Sequence, residues 1–207
     1  MSAARQKREK STANSIIELV IIVAIALGLA LGIQAFLIKP YKIPSESMVP
    51  TLQVGQRVLV NRLGTHFGDP EVGDILVFHP PKGAENGLDQ CGVDHPSDQG
   101  CPKATPEKAD VNYIKRVVGV PGDTLTVVAG HVIRNGKRES DSYIAPCGEG
   151  GKCDLPKPLT VPPGQYYMMG DNRGYSDDSR YWGPVPKDWI IGEAFATYWP
   201  LDRIGLL

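Results

Sequence analysis

A long apolar segment near the N-terminus limits what this chain can form. The 23 residues from Ile16 to Ile38 include only Glu18 and Gln34 as strongly polar members. As an α-helix they would extend about 35 Å, enough to cross the roughly 30 Å hydrocarbon core of a bilayer. The alternative is a cleaved signal peptide, whose apolar segment normally has about 7–15 residues. The greater length favours an uncleaved transmembrane anchor over residues 16–38.

The charges that flank this segment predict its orientation. Residues 1–15 carry four basic side chains and one acidic side chain, whereas Lys39 and Lys42 follow the segment. Because basic residues are retained on the cytoplasmic side, we expect residues 1–15 to form a cytoplasmic tail and residues 39–207 to be exported. The whole chain has a net charge of −1, which excludes a generally basic nucleic-acid-binding protein.

The remainder of the chain is rich in turn-forming residues. All 18 prolines follow Lys39, as do all but two of the 23 glycines. Short β-type runs alternate with these turns, and the Asn135-Gly136 pair is typical of a two-residue hairpin. We therefore expect one mostly β domain over 39–207, in which residues 80–110 form a polar surface insertion. The predicted strands are Arg57–Asn61, Asp74–Phe78, Tyr113–Val120, Thr124–Val128, Tyr166–Met169 and Ile190–Trp199.

The four cysteines form two closely spaced pairs in the predicted exported part. Cys91 and Cys101 bracket one turn-rich segment, and Cys147 and Cys153 bracket another. In an oxidising compartment this pattern favours two local disulfides, Cys91–Cys101 and Cys147–Cys153. The alternatives are free thiols or a metal site that includes His95. Zinc sites usually contain a C-x₂₋₄-C pair, which is absent from the sequence, so we expect no metal site.

Two segments carry side chains suited to nucleophilic chemistry. Ser45 and Ser47 lie two residues apart between two prolines, and in an extended strand they would share one face. Lys115 and Arg116 are adjacent in a predicted strand, so they would face opposite sides. Taken alone, the first segment reads as a linker and the second as a solvent-exposed basic pair. The sequence contains no P-loop, H-E-x-x-H or G-x-S-x-G motif.

Four longer motifs occur in order after the apolar segment. They are Pro44-Ser-x-Ser-Met-x-Pro-Thr-Leu52, Gly73-Asp-Ile-Leu-Val-Phe78, Tyr113-Ile-Lys-Arg-Val-Val-Gly119, and Gly170-Asp-Asn-Arg followed by Ser176-x-Asp-Ser-Arg-Tyr-Trp-Gly183. This arrangement resembles bacterial type I signal peptidases, also called leader peptidases. The resemblance implies a coiled antiparallel β-sheet domain after one transmembrane helix. It also implies a serine endopeptidase that cleaves signal peptides from exported preproteins without a cofactor.

The resemblance implies roles for individual residues. Ser47 would be the nucleophile and Lys115 the general base, a Ser/Lys dyad that requires a neutral and therefore desolvated lysine. The Ser45 hydroxyl and the Ser47 N–H would form the oxyanion hole, and Ser176 would form a hydrogen bond with Lys115 and orient it. Four charged residues would form ion pairs around the site, with a purely structural role as the alternative: Arg116, Asp171, Asp178 and Arg180.

Substrate choice also follows from the resemblance. Family substrates carry small residues at −3 and −1 before the cleaved bond, which shallow apolar pockets select, and they would bind as an added strand. The residues expected to line the substrate site are Tyr41, Ile43, Met48, Leu52, Tyr113 and Ile114. The implied location is the bacterial cytoplasmic membrane, in contact with lipid and crossed once. The catalytic domain would then lie on the outer, periplasmic side.

Three features depart from the family pattern. The sequence has one apolar span, whereas some members have two. The 80–110 insertion is longer than in compact members, and Gly174-Tyr175 precedes Ser176 where many members have Asp-Asn. A housekeeping signal peptidase is the preferred function. A specialised relative that matures one substrate is an alternative, as is a membrane-anchored binding module in which Ser47 and Lys115 are incidental.

Overall fold

The computed structural model describes residues 12–87, 90–148 and 152–207. The chain divides into two compact units, Met1–Ile38 and Lys39–Leu207. The first contains helix α1 (Thr12–Phe36), whose Asn14–Gly32 stretch has a mean hydropathy of 2.6 and is long and apolar enough to cross a membrane. Most of the expected tail, residues 1–15, lies outside the described residues, and its last four residues belong to α1.

The second unit consists mainly of strands. These are β1 (Ile38–Lys42), β2 (Arg57–Asn61), β3 (Ile75–Phe78), β4 (Tyr113–Gly119), β5 (Thr124–Val128), β6 (His131–Arg134), β7 (Lys137–Arg138), β8 (Leu155–Thr160), β9 (Gln165–Met169), β10 (Val185–Pro186), β11 (Ile190–Trp199) and β12 (Gly205–Leu206). The short helices among the described residues are α2 (Gly64–Phe67) and α3 (Ser179–Trp182), with 3-10 turns at Glu46–Met48, Ala84–Asn86, Lys187–Trp189 and Leu201–Arg203.

The strands form two sheets. The larger has the order β1-β2-β11-β3-β4-β9-β10, with β12 added to β11, and the smaller has the order β7-β6-β5-β8. The pairs among β2 to β12 are antiparallel, and bulges interrupt the register of β11 with β2 and β3 and of β4 with β9. Because bulges bend strands and increase their twist, the larger sheet curls. The expected mostly β fold with a coiled antiparallel sheet is confirmed.

The central strands of the larger sheet are buried on both faces. Along β3, Ile75 and Val77 belong to one hydrophobic cluster, whereas Leu76 and Phe78 belong to another that includes Trp182. Successive strand residues point to opposite faces, so the uninterrupted apolar sequence of β3 matches a core on each side. A third cluster joins β4 and β9 to the smaller sheet.

Residues 80–110 connect β3 to β4 and are only partly a surface insertion. Ala84, Cys101 and Ala109 are buried, and the Cys101 N–H donates a hydrogen bond to the Arg180 carbonyl at 3.1 Å. The segment is therefore packed into the domain, because buried backbone groups need partners of this kind. The structure contains Cys91–Cys101 and Cys147–Cys153 disulfides.

Candidate active site

Ser47 lies in the 3-10 turn Glu46–Met48, between β1 and β2. Met48 and Leu52 have no exposed surface and pack into the cluster that contains Ile75 and Val77, so their burial fixes this segment. Both serines were expected in an extended strand. Only Ser45 is extended, and the turn that follows it places its Oγ 3.3 Å from Ser47 Oγ.

Lys115 reaches Ser47 from the middle of the larger sheet. It lies in β4, which is flanked by β3 and β9. Its Nζ lies 2.7 Å from Ser47 Oγ, and the residue is only 4% exposed. A strand that is paired on both sides holds the amine on a rigid element. The two segments singled out in the sequence therefore meet, although 68 residues separate these side chains.

Burial lowers the pKa of Lys115 from 10.5 to about 8. Removal of the ammonium group from water penalises its charged form. The Asp178 and Asp177 carboxylates oppose this shift, and the Arg180 guanidinium adds to it. A lysine with this pKa is neutral in an appreciable fraction of molecules near neutral pH, unlike a solvated lysine. It can therefore accept a proton from a hydroxyl at 2.7 Å.

Arg116 forms a two-bond ion pair with Asp171. Its Nε and Nη2 donate to Oδ1 and Oδ2 of that carboxylate at 2.9 and 2.7 Å. Arg116 Nη1 donates to the Gly73 carbonyl at 2.7 Å, and Thr51 Oγ1 donates to Asp171 Oδ2 at 2.5 Å. The Tyr143 ring covers the guanidinium, with its centroid 4.2 Å from Cζ. The pair ties the loop after β9 to the strand that carries Lys115.

Asp178 and Arg180 form a second ion pair, with no side-chain exposure on either residue. Arg180 Nε and Nη2 donate to Asp178 Oδ1 and Oδ2 at 2.8 and 2.9 Å. Nη1 donates to the Lys152 carbonyl, and Nη2 also donates to the carbonyls of Arg173 and Ser176. Burial alone would raise the pKa of Asp178, but the Arg180 charge lowers it. The pair therefore keeps a buried carboxylate ionised near Lys115.

The expected hydrogen bond between Ser176 and Lys115 is not formed in the structure. Ser176 Oγ makes no hydrogen bond of good geometry within the described part of the chain, although it lies near enough to the Asp178 carboxylate to help lower that pKa. A Cβ atom at Gly170 would lie 2.3 Å from Ser176 Oγ and 2.4 Å from the Ser47 carbonyl oxygen. Gly170 therefore allows Ser176 and the nucleophile segment to approach each other closely.

A cleft of about 290 Å³ opens over Ser47 and Lys115. Two of the six expected substrate-site residues, Tyr113 and Ile114, line it. The other four lie in or against the core instead: Tyr41, Ile43, Met48 and Leu52. Large apolar side chains on a segment packed against a sheet are drawn away from water, which explains why these four are buried; their role in substrate binding stays a prediction. The cleft also has lining residues that the sequence did not indicate: Pro44, Asn112, Tyr175 and Asp177.

Two buried residues of the last motif had no assigned role. Asn172 donates from its backbone N–H to the Ser47 carbonyl at 3.0 Å and from Nδ2 to the Glu46 carbonyl at 3.2 Å. Arg173 has no exposed surface, and its Nε donates to the Gly170 carbonyl at 2.8 Å. Both residues follow β9 and precede α3 within the last motif. This position in the motif was the available sequence signal for a role at the site. Within the described ranges, no three His, Cys, Asp or Glu side chains are arranged to hold a metal ion.

A family profile described as signal peptidase, peptidase S26, matches residues 16–199. The chain belongs to this family. The resemblance carried by the four motifs is thus confirmed. The protein is a serine peptidase of the signal peptidase I type, a hydrolase that cleaves signal peptides from preproteins.

Individual signal peptidases match nearly the whole chain. A probable signal peptidase I-2 of Synechocystis sp. is 37% identical over 206 residues, which cover 98% of this chain and 82% of that relative. Signal peptidase I of Leptolyngbya laminosa is 37% identical over 89% of this chain and 80% of its own length. Signal peptidase IB of Staphylococcus aureus is 32% identical over 92% of this chain and 93% of its own length. The crystal structure of a signal peptidase I from Enterococcus faecalis is 25% identical, covers 61% of this chain and 97% of that one, and gives a TM-score of 0.41.

Proposed function

We propose that the protein cleaves signal peptides with a Ser/Lys dyad in which Ser47 is the nucleophile and Lys115 the general base. The observation that carries this proposal is the 2.7 Å contact between Lys115 Nζ and Ser47 Oγ. Burial supports it, because it lowers the pKa of Lys115 to about 8 and so makes the neutral amine accessible.

In the first chemical step, Ser47 Oγ attacks the scissile carbonyl while the neutral Lys115 amine takes the hydroxyl proton. The resulting ammonium group then protonates the departing amine, and the C–N bond breaks to leave an ester on Ser47. A water molecule, deprotonated by Lys115, attacks this ester and releases the new carboxyl end of the signal peptide. The Lys115 proton returns to Ser47, so the enzyme regains its starting state.

Negative charge develops on the carbonyl oxygen during attack, and donors must already point at it. We assign the oxyanion hole to the Ser47 N–H and the Ser45 hydroxyl, which lies 3.3 Å from Ser47 Oγ and lines the cleft. The Arg116–Asp171 and Asp178–Arg180 pairs hold the strand and loop around the dyad. Ser176, packed beside Gly170, completes the wall behind the nucleophile.

The substrate is proposed to be an exported preprotein with small residues at −3 and −1. Tyr113 and Ile114 give the cleft of about 290 Å³ an apolar wall that would exclude large side chains. Ile43, Met48 and Leu52 lie beneath the site and fix the position of that wall. No nucleic acid is expected among the partners, since the net charge is −1.

Helix α1 is proposed to anchor the protein in the bacterial cytoplasmic membrane, with the N-terminus in the cytoplasm and residues 39–207 outside. Its apolar Asn14–Gly32 stretch and the basic residues before it support this orientation. The two disulfides agree with an oxidising compartment. Contact with lipid would confine enzyme and signal peptide to one surface and raise their effective concentration.

Cleavage of a preprotein by the purified full chain in detergent tests the dyad. Ser47→Ala and Lys115→Ala should each abolish cleavage of a preprotein with Ala at −3 and −1. Ser142→Ala and Lys82→Ala are matched controls, since both residues are exposed, and they should retain full activity. Cleavage by the Ser47→Ala protein at the rate of its control would overturn the proposal, as would an unchanged rate with Phe in place of Ala at −1.

A further inference from the structure

We infer that Asn172 is a positioning residue that aims the oxyanion-hole N–H of Ser47. This inference rests on the proposed function and concerns the peptide group between Glu46 and Ser47. That group contains both the N–H proposed to stabilise the oxyanion and the Glu46 carbonyl. Asn172 Nδ2 donates a hydrogen bond to this carbonyl at 3.2 Å.

Planarity of the peptide makes this contact consequential. In a trans peptide the C=O and N–H bonds are coplanar and point in opposite directions, so a donor that fixes the Glu46 oxygen also fixes the direction of the Ser47 hydrogen. The hydrogen bond additionally polarises the peptide, which strengthens its N–H as a donor. Asn172 thus acts on the oxyanion from the far side of the peptide, without touching substrate.

The rest of Asn172 is held in place independently of its amide. Its backbone N–H donates to the Ser47 carbonyl at 3.0 Å. Beside it, the Ala145 N–H donates to the Asp171 carbonyl at 2.9 Å, and a Cβ at Gly170 would lie 2.4 Å from the Ser47 oxygen. Replacement of the Asn172 side chain leaves these backbone contacts available. The loop should therefore stay docked on the nucleophile segment, and only the aim of one N–H should change.

The 3-10 turn makes such a restraint necessary. Glu46 is exposed, and the Glu46 carbonyl already accepts the Val49 N–H at 3.0 Å. A single 3-10 turn has poorer hydrogen-bond geometry than an α-helix, so its first peptide can rotate. A second donor, supplied by a buried side chain on another element, restricts this rotation before substrate binds.

The test compares Asn172→Asp and Asn172→Ala with wild type in the purified full chain. The aspartate variant keeps the shape but places an acceptor against the Glu46 carbonyl, and the alanine variant removes the donor. Removal of an oxyanion donor typically lowers kcat by about 10²–10³, and misalignment should cost less. We expect kcat to fall by about 10- to 100-fold in each variant with KM within about twofold of wild type.

Inhibitor binding separates positioning from a general structural role. A peptide aldehyde, whose adduct with Ser47 places an oxyanion in the hole, should bind more weakly by a factor close to the loss in kcat/KM. The released signal peptide, which forms no oxyanion, should bind as it does to wild type. Equal weakening of both ligands, or an unchanged kcat, would overturn the inference.

Gln99 provides a matched control. Its Nε2 also donates to a backbone carbonyl, that of Pro158 at 2.6 Å, but it lies in the 80–110 segment. Gln99→Glu should leave kcat unchanged, and circular dichroism and thermal melting should show that both Asn172 variants are folded. Failure of the dyad itself would be visible separately as activity in Ser47→Ala. An inactive Ser47→Ala protein together with a fully active Asn172→Ala protein would refute only the role of Asn172.

Discussion

The neutral state of Lys115 controls activity if Lys115 is the base, so pH is the most direct perturbation. With a pKa of about 8, about 9% of the molecules carry a neutral amine at pH 7, compared with about 0.03% for a lysine at 10.5. Burial thus enlarges the reactive population about 300-fold at pH 7. Because the folded pKa is lowered, activity should rise as pH increases through about 8 and reach a plateau above about 9.

The assay is kcat/KM for a peptide substrate with Ala at −3 and −1, measured from pH 6 to pH 10. We expect an approximately tenfold increase between pH 7 and the plateau, with a slope of one on a logarithmic plot. Lys115→Arg should lower kcat/KM by about 10²–10⁴-fold, because guanidinium stays protonated and cannot act as a base. Lys82→Arg, at an exposed ion pair with Glu107, is the control and should match wild type.

Three results would refute this reasoning. A midpoint near 6.5 would indicate a histidine as the base. Substantial cleavage by a folded Lys115→Arg protein would show that Lys115 does not accept the Ser47 proton. A profile that is flat between pH 7 and pH 9 would contradict the lowered pKa itself.

Three further predictions follow from the same contacts. Lys115→Met should be inactive but more stable than wild type at pH 7, by up to about 3 kcal/mol. Because the pKa of Lys115 is lowered in the folded state, the stability of the wild type should recover as pH rises from about 8 to 10.5. Chemical denaturation measures the free energy of unfolding of both proteins. A variant whose stability at pH 7 is equal to or lower than that of the wild type would contradict the prediction. Replacement of Cys147 and Cys153 by Ser should lower the free energy of unfolding by about 2 kcal/mol. Cleavage should be unaffected, because Gly174 packs against the Cys147 carbonyl rather than its sulfur. Loss of cleavage in a folded variant would contradict this prediction. A tag at Leu207 should be accessible to protease only from outside the cell. Cleavage of the tag from the cytoplasmic side would show that the orientation is opposite to the one proposed.

Much of the fold follows from local sequence patterns. The predicted strands Arg57–Asn61, Thr124–Val128 and Ile190–Trp199 match β2, β5 and β11 at both ends. Asn135 and Gly136 have φ values of +53° and +79° between β6 and β7, the left-handed conformation that a two-residue hairpin of this type requires. In these segments, turn chemistry and apolar content point to the same structure.

The two longest strands that the sequence did not indicate contain proline. β8 (Leu155–Thr160) contains two prolines, and β1 (Ile38–Lys42) contains one. Proline lacks the N–H that a central strand needs, and these strands lie at the edges of their sheets, where one side needs no partner. Their existence depends on tertiary pairing, which local propensity does not report.

The candidate site shows the same division between local and tertiary information. The motifs singled out Ser47 and Lys115, which the structure places 2.7 Å apart. The contacts of Asn172 with the Glu46 and Ser47 carbonyls join residues about 126 positions apart. Partners of this kind are set by how the loop after β9 docks on the 3-10 turn. Composition and spacing contain no direct signal for that docking.

Burial of Lys115 carries a cost in stability that the neighbouring ion pairs do not offset. At pH 7 the protonated Lys115 lies out of water, so the domain is less stable than it would be with an apolar residue there. Fully buried ion pairs nearby add little net stability, since desolvation cancels much of their attraction. Asp178 and Arg180 are better understood as fixing geometry, because either one alone would leave an uncompensated charge beside the dyad. Substitution of one partner should therefore be far more damaging than replacement of both by apolar residues of similar volume.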